Sequence, residues 1–410
     1  MTHPDTRPLL LHGGNVFDSD ARTFRHGIDV LCVDGRIARI GPGLDASGAH
    51  EVDCSGKYLL PGLIDCHVHL TFEGAPAEAE TAASVPLPIR TLRAAEHARK
   101  TLYAGFTTVR DMGAADRLNI HLAGAIDSGL IPGPRILAVG LGVTMTGGHG
   151  HGWIAREADG PDEVRKAVRE QLRAGATAIK LFASGGVMTP GVDPRSPSFS
   201  EAELAAGVDE AHKAHRVAGA HAQAADGIKN AVRAGIDSIE HGVWLDEEAV
   251  GLMLERGTYM VPTLTAPAQI VHGGLAGGVP PYMVEKGHQV LEDHIASYQA
   301  ALRAGVNVAM GTDQGTPLSR PGENAQEILR MAEHGLSPAA AILAATAWAA
   351  DLLNVEAGRL REHLLADIVV LEDDPLFDLP ILADHTKIAA VVKDGTVVHQ
   401  LHHSHSEVPV

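Results

Sequence analysis

One pattern of apolar and polar positions recurs through the middle of the chain. A stretch with helical spacing ends in a residue followed by glycine, and a short apolar run comes next. Ala104-Gly105 precedes Phe-Thr-Thr-Val-Arg, Ala174-Gly175 precedes Ala-Thr-Ala-Ile-Lys, and Ala234-Gly235 precedes Ile-Asp-Ser-Ile-Glu-His. Arg256-Gly257 and Ala304-Gly305 repeat the arrangement before Thr-Tyr-Met-Val and Val-Asn-Val-Ala-Met. Glycine just past a helix end takes up the left-handed conformation that stops the helix. A short loop and a buried strand then follow. With the apolar runs at 63–70, 135–140 and 217–223, the strand candidates become 63–70, 107–112, 135–140, 177–183, 217–223, 237–242, 258–264 and 307–313. Helical patterns at 87–104, 161–174, 200–215 and 282–304 alternate with them. Such βα repetition predicts an α/β protein built on a (β/α)8 TIM barrel over residues 61–356.

The flanks have another rhythm. Short β-like runs occur at Leu9–His12, Ile28–Val33, Arg36–Ile40 and His50–Asp53, and again at Asp367–Leu371 and Ile388–Val398. Lys393-Asp394-Gly395 has the chemistry of a hairpin turn. Residues 1–60 and 357–410 are therefore expected to pair into one small β-sandwich domain. The tail from His399 onward is polar and is expected to fray, with His399, His402, His403 and His405 solvated.

Composition narrows the function. A net charge of −18 opposes nucleic acid and anionic membranes as partners. No apolar run approaches the roughly 20 residues of a membrane-spanning helix. Met1–Pro8 lacks the basic segment and apolar stretch of a secretory signal. The cysteines, Cys32, Cys54 and Cys66, suit neither a disulfide framework nor a metal-finger spacing, so a cytoplasmic protein is expected, with Cys66 a buried bystander.

Chemistry-bearing residues sit at the ends of the strand candidates. His67 and His69 are two apart and share a strand face, so both imidazoles can grip one cation. His221 and His241 end two successive strands, and Asp313 ends the last. In a barrel these ends converge, and residues there tend to be catalytic. Lys180 is expected to face the same interior, where an ammonium is poorly solvated and repelled by cations. Its neutral amine can instead add carbon dioxide and become a carbamate, an anion able to bridge two metal ions. The six residues His67, His69, Lys180, His221, His241 and Asp313 thus read as a site for two divalent metal ions, with zinc expected.

The motifs Pro61-Gly-Leu-Ile-Asp-Cys-His-Val-His69, Thr107-Thr-Val-Arg-Asp-Met-Gly113, Ile239-Glu-His-Gly242 and Gly311-Thr-Asp313 resemble the amidohydrolase superfamily. Thr146-Gly-Gly-His149, Ile179-Lys-Leu-Phe182 and Val261-Pro-Thr-Leu264 look like its Xaa-Pro dipeptidase and lysine/arginine carboxypeptidase-like subgroup, which also holds hydrolases of aryl amides and ureas. The resemblance implies His67, His69 and Asp313 on the more buried ion, His221 and His241 on the other, and a carboxylated Lys180 between them. It implies attack of a metal-bridging hydroxide on an amide carbonyl, with Asp313 shuttling the proton to the leaving nitrogen. His149, which ends a glycine-rich loop after the third strand, is the candidate for a second donor to the carbonyl. The substrate is expected to be a small amide or peptide, and the protein a homo-oligomer. A non-peptide amide, carbamate or urea is the alternative. A deaminase and a non-catalytic metal binder fit less well, because Lys180 argues against the first and Asp313 against the second.

Substrate contacts are weakly marked. His151, Arg195, Arg320 and Lys286 are loop or near-loop candidates for a substrate carboxylate. Dipeptidase-like relatives carry a tyrosine shortly after Val-Pro-Thr-Leu, where this chain has Thr265-Ala-Pro-Ala-Gln269. Tyr282 is the candidate replacement, and Ala266–Ile270 reads as an apolar loop suited to an aromatic or aliphatic amide.

Overall fold

The structure is a computed structural model that describes residues 7–81 and 84–401. The chain opens with β1 (Leu9–Asp18), β2 (Thr23–Val33), β3 (Arg36–Gly41), β4 (His50–Asp53) and β5 (Tyr58–Pro61). The middle holds β6 (Leu63–Val68), β7 (Phe106–Asp111), β8 (Arg135–Ala138), β9 (Gly142–Thr144), β10 (Ala155–Glu157), β11 (Ile179–Phe182), β12 (Ala218–Ala222), β13 (Ser238–His241) and β14 (Tyr259–Val261). It ends with β15 (Ile368–Leu371), β16 (Ile388–Lys393) and β17 (Thr396–Gln400).

Apart from β8, β9 and β10, which follow one another directly, the middle strands alternate with helices, and the fold is α/β. Helices at Leu87–Tyr103, Gly160–Ala174, Glu201–Lys213 and Pro281–Ala304 match the periodic stretches. Gly175, Gly257 and Gly305 cap their helices with φ of 105°, 69° and 86°, which explains the recurrent glycine. No helix among the described residues is long and apolar enough to cross a membrane.

All middle strands pair in parallel, in two ladders: β6-β7-β8 and β10-β9-β11-β12-β13-β14. At one seam the Thr177 N–H donates to the Ala138 carbonyl at 2.8 Å. At the other runs the segment 307–313, which is expected as a strand but makes only isolated bridges, Met260 with Val308 and Val68 with Gln314. The departure has a steric cause. A Cβ on Gly311 would lie 2.4 Å from Val261 Cγ1 and 2.9 Å from His67 Cβ, and Asp313 has φ +57°, so the chain leaves the pleat here. Its backbone is still satisfied on both sides. Met260 donates to Asn307 and Ala309 to Met260, while Cys66 donates to Met310 and Asp313 to His67.

The strands of both chain ends form one mixed sheet, β17-β16-β15-β5-β1-β2-β3, with β4 also on β1. A sandwich of two sheets is the sequence expectation; the hydrogen bonds run through a single sheet. β1 makes this possible. Its register shifts near Gly14 let β4 pair its first half and β5 its second. Leu11, Val30, Ile37, Leu59, Ile368 and Val392 share the core of this sheet. The hairpin turn falls at Asp394 (φ +48°) and Gly395 (φ +70°), with Lys393 paired to Thr396. His399 lies in β17 and stacks on Tyr103 at 4.8 Å, so the fraying expected from this residue is not seen at His399 itself; His402, His403 and His405 lie outside the described residues.

Candidate active site

The strand ends bring the predicted ligands to one cavity. His67, His69, Lys180, His221, His241 and Asp313 all line it, together with His149. Asp313 Oδ1 lies 3.3 Å from His67 Nε2 and 3.4 Å from His69 Nε2. Lys180 Nζ is 3.4 Å from His67 Nε2. The His221 ring centre is 4.5 Å from that of His241 and 4.6 Å from that of His149. Ligand atoms of His67, His69 and Asp313 fall within 4.8 Å of one another, a grouping that can hold a metal ion.

Each imidazole is oriented by its other nitrogen. His69 Nδ1 meets the Gly113 carbonyl at 2.8 Å, His241 Nδ1 meets Thr263 Oγ1 at 2.7 Å, and His149 Nδ1 meets Thr189 Oγ1 at 2.7 Å. His221 is turned the other way, with Nε2 on the Gly185 carbonyl at 2.8 Å, so it offers Nδ1. Contacts of this kind fix tautomer and ring angle in metal sites. His241, Thr263 and Asp313 all have positive φ, strain of the sort found at functional sites.

Burial sets the charge states. It holds His67, His149 and His241 well below the ordinary imidazole range, and His221 down to about 3, with the Lys180 charge adding to the effect. Lys180 itself is lowered to about 8 by burial. Burial opposes ionisation of Asp313, but His67, His69 and Lys180 outweigh it and bring the carboxyl to about 2. The imidazoles of His67, His221 and His241 held below their ordinary range, an ionised carboxylate and an easily deprotonated amine are donors that suit divalent cations.

Two supports lie beneath the candidate ligands. Glu240 Oε2 is 2.9 Å from His67 Nδ1, while its Oε1 accepts from Arg110 Nη2 at 2.7 Å and from Ser238 Oγ at 2.5 Å. Glu240 and Arg110 are both fully buried. Asp65 accepts from the His67 and Thr312 amides, and from Thr312 Oγ1 and Asn324 Nδ2, so it fastens β6 to the segment that carries Asp313. Reading the sequence for ligands misses both acids. Their available signal is a charge inside an otherwise apolar strand.

Residues 58–398 match the amidohydrolase family. The chain belongs to that family. Ochratoxinase from Aspergillus niger is 31% identical over 424 residues, covering 95% of this chain and 86% of that protein. A solved Xaa-Pro dipeptidase with methionine bound in its active site is similar at TM-score 0.89 and 32% identity, covering 96% of this chain and 100% of that one. A prolidase complexed with N-methylphosphonate-L-proline is similar at TM-score 0.90 and 34% identity, with the same coverage.

In this amidohydrolase His151, Arg195, Tyr282, Lys286 and Arg320 do not line the cavity. His151 Nδ1 is engaged by the Gly148 carbonyl at 2.7 Å. Arg195 lies over the Trp244 ring and beside Asp293, largely exposed. Arg320 lines a separate surface groove with Lys100 and His385. Tyr282 donates to the Met188 carbonyl, and Lys286 donates to the carbonyls of Gly186, Thr189 and Val192, so both fasten the loop after β11.

Ala266–Ile270, read as a loop, belongs to a helix, Thr265–Gly273, whose Ala266, Pro267 and Ile270 do line the cavity. Buried Glu327 makes the helix possible. It accepts the Leu264 and Thr265 amides at 2.8 Å each and Thr265 Oγ1 at 2.6 Å. Cys66 is buried in an apolar cluster with Ile64, Met112 and Val261, and burial pushes its thiol up.

Proposed function

We propose that this amidohydrolase cleaves an amide C–N bond of a small molecule with two divalent metal ions, zinc the expected metal. The convergence of His67, His69, Lys180, His221, His241 and Asp313 on one cavity carries this reading. When bound, the ions supply Lewis acidity and a water of lowered pKa. Asp313 is ionised and can take a proton from the attacking water and return it to the leaving nitrogen. Neutral His149, anchored by Thr189, orients the substrate carbonyl through Nε2. Lys180 is poised to form a carbamate. Its neutral amine adds carbon dioxide and releases a proton, which leaves an anion where a buried ammonium was costly.

The fold reading belongs to the same proposal. The seam hydrogen bond at Ala138 and the bridges at Val308 and Gln314 support a (β/α)8 barrel over 61–356. Ile64, Leu137, Ala178, Val261 and Ala309 share one apolar cluster although they come from both ladders and the segment between, which also fits a barrel interior. Residues 1–60 and 357–410 then form the accompanying β domain.

Relatives of dipeptidase type favour a peptide-like substrate. A specific observation favours the second reading, a non-peptide amide, carbamate or urea. Among the described residues Lys180 is the sole lysine or arginine lining the cavity, so a peptide carboxylate meets no free side-chain cation from them there. Metal-loaded protein should be assayed against Xaa-Pro and Xaa-Arg dipeptides, N-acyl amino acids, aryl amides and phenylureas. Release of an amine from one class identifies the substrate type. No cleavage of any C–N bond overturns the proposal.

A further inference from the structure

The loop after β11 has little regular structure to hold it. Between Phe182 and the helix Glu201–Lys213 it makes one isolated bridge, Ser184 with Pro197. It nevertheless orients two rings of the cavity. The Gly185 carbonyl meets His221 Nε2 at 2.8 Å, and Thr189 Oγ1 meets His149 Nδ1 at 2.7 Å. Its fastening comes from the distant helix Pro281–Ala304. Lys286 Nζ donates to the carbonyls of Gly186, Thr189 and Val192 at 3.2, 2.8 and 2.6 Å. These carbonyls recur every third residue and turn to one point, so the clamp uses every donor of the ammonium. One turn earlier Tyr282 donates to the Met188 carbonyl at 3.1 Å. The same helix holds the segment after β13. His294 Nε2 meets the His241 carbonyl at 2.9 Å, and Ser297 Oγ donates to the Val243 carbonyl at 2.6 Å. These contacts fall on the segments beside His221 and His241, and not on those that carry His67, His69 and Asp313.

We propose that Lys286 is a positioning residue for the ion held by His221 and His241. By drawing three carbonyls to one point it sets the loop, and with it the Gly185 carbonyl that turns the ring of His221. This rests on the two-ion reading above. Lys286 does not line the cavity, so it acts through the loop and touches neither ion nor substrate. The task needs a compact ammonium. A guanidinium spreads its donors in a rigid plane, and an apolar side chain of the same length leaves all three carbonyls without a donor. Lys286 is only half-buried, so a small cation from solution can reach its place.

The test is a zinc titration of metal-stripped protein against a competing chelator. The parent binds two ions in separable steps. Lys286→Ala weakens one step by about tenfold, the lower end of what an outer support of a metal ligand contributes, and leaves the other within about threefold. Added n-propylammonium supplies the three carbons and the ammonium that the substitution removes, and it restores the weakened step. Tetramethylammonium at the same concentration carries the charge without N–H donors and does not restore it. In a His221→Ala background the remaining ion is held equally well with Lys286 or alanine, because the clamp then has no ring to set. Lys286→Met keeps the stem without the ammonium and carries the same expectation for the titration, should the alanine variant not fold. Two steps that weaken alike, two steps that both stay unchanged, or propylammonium that does no better than tetramethylammonium overturns the role of Lys286 alone. A parent that takes up no second ion overturns the two-ion reading as well.

Discussion

Glu240→Gln tests how the site is held together. The substitution keeps the shape of the side chain and removes its charge. Glu240 is the carboxylate partner of Arg110 at 2.7 Å, and both side chains are completely buried. Arg110 then keeps only neutral acceptors, the Cys66 carbonyl at 2.7 Å and Ser238 Oγ at 3.0 Å. Removing one partner of a buried pair strands the other charge, at a cost of about 3–5 kcal/mol. The same acid holds His67 Nδ1 at 2.9 Å, so the ring loses the anionic acceptor that fixes its tautomer. Losses of that type weaken metal binding by about 10- to 100-fold. Thermal unfolding of metal-stripped protein should show the midpoint several degrees lower. Chelator competition on folded protein should show the weakened affinity. The double variant Arg110→Met with Glu240→Gln separates the two effects. It should recover stability toward the parent, because the stranded charge is gone, and should not recover metal affinity. A single variant that unfolds and binds metal like the parent would refute the reasoning.

Three further outcomes are expected. Lys180→Ala should abolish hydrolysis, with partial recovery on adding short-chain carboxylic acids that supply the missing carboxylate; absence of rescue in kinetic assays counts against the carbamate. Burial pushes Glu327 up to about 7, against an ordinary value of 4.5. The folded state thus keeps a proton that the unfolded chain releases, and stability falls as pH rises through that window, by up to about 3 kcal/mol. Glu327→Gln should flatten the slope of unfolding midpoint against pH between 5 and 8, and an unchanged slope would contradict the assignment. Arg195→Ala and Arg320→Ala, remote from the cavity lining, should keep kcat/KM within about twofold on whichever amide the parent cleaves; a loss of tenfold or more would place them at the substrate.

The cluster that meets in the cavity was legible because its chemistry sits at strand ends, and the strands announce themselves through glycine-stopped helices such as the one ending at Gly175. His67 and His69 needed only the alternation of a strand. What was not legible depends on distant partners. Arg110 and Glu240 lie 130 positions apart, and each looks like an isolated charge until the ladders bring them together. The helix Thr265–Gly273 reads as a loop because the carboxylate that satisfies its first amides, Glu327, comes from far along the chain. The segment 307–313 has a strand's composition, but Gly311 must press against His67, which breaks the pleat. The candidates for substrate contact could not be placed from the sequence, because residue type alone cannot tell a free cation from one engaged elsewhere. Lys286 spends its ammonium on three backbone carbonyls.

Metal stoichiometry tests the central claim most directly. Protein stripped of metal, then titrated with zinc in the presence of bicarbonate and freed of excess, should retain about two ions per chain by elemental analysis, and His67→Ala combined with His241→Ala should retain none. A parent that holds no stoichiometric metal, or a reproducible single ion that survives those substitutions, would contradict it.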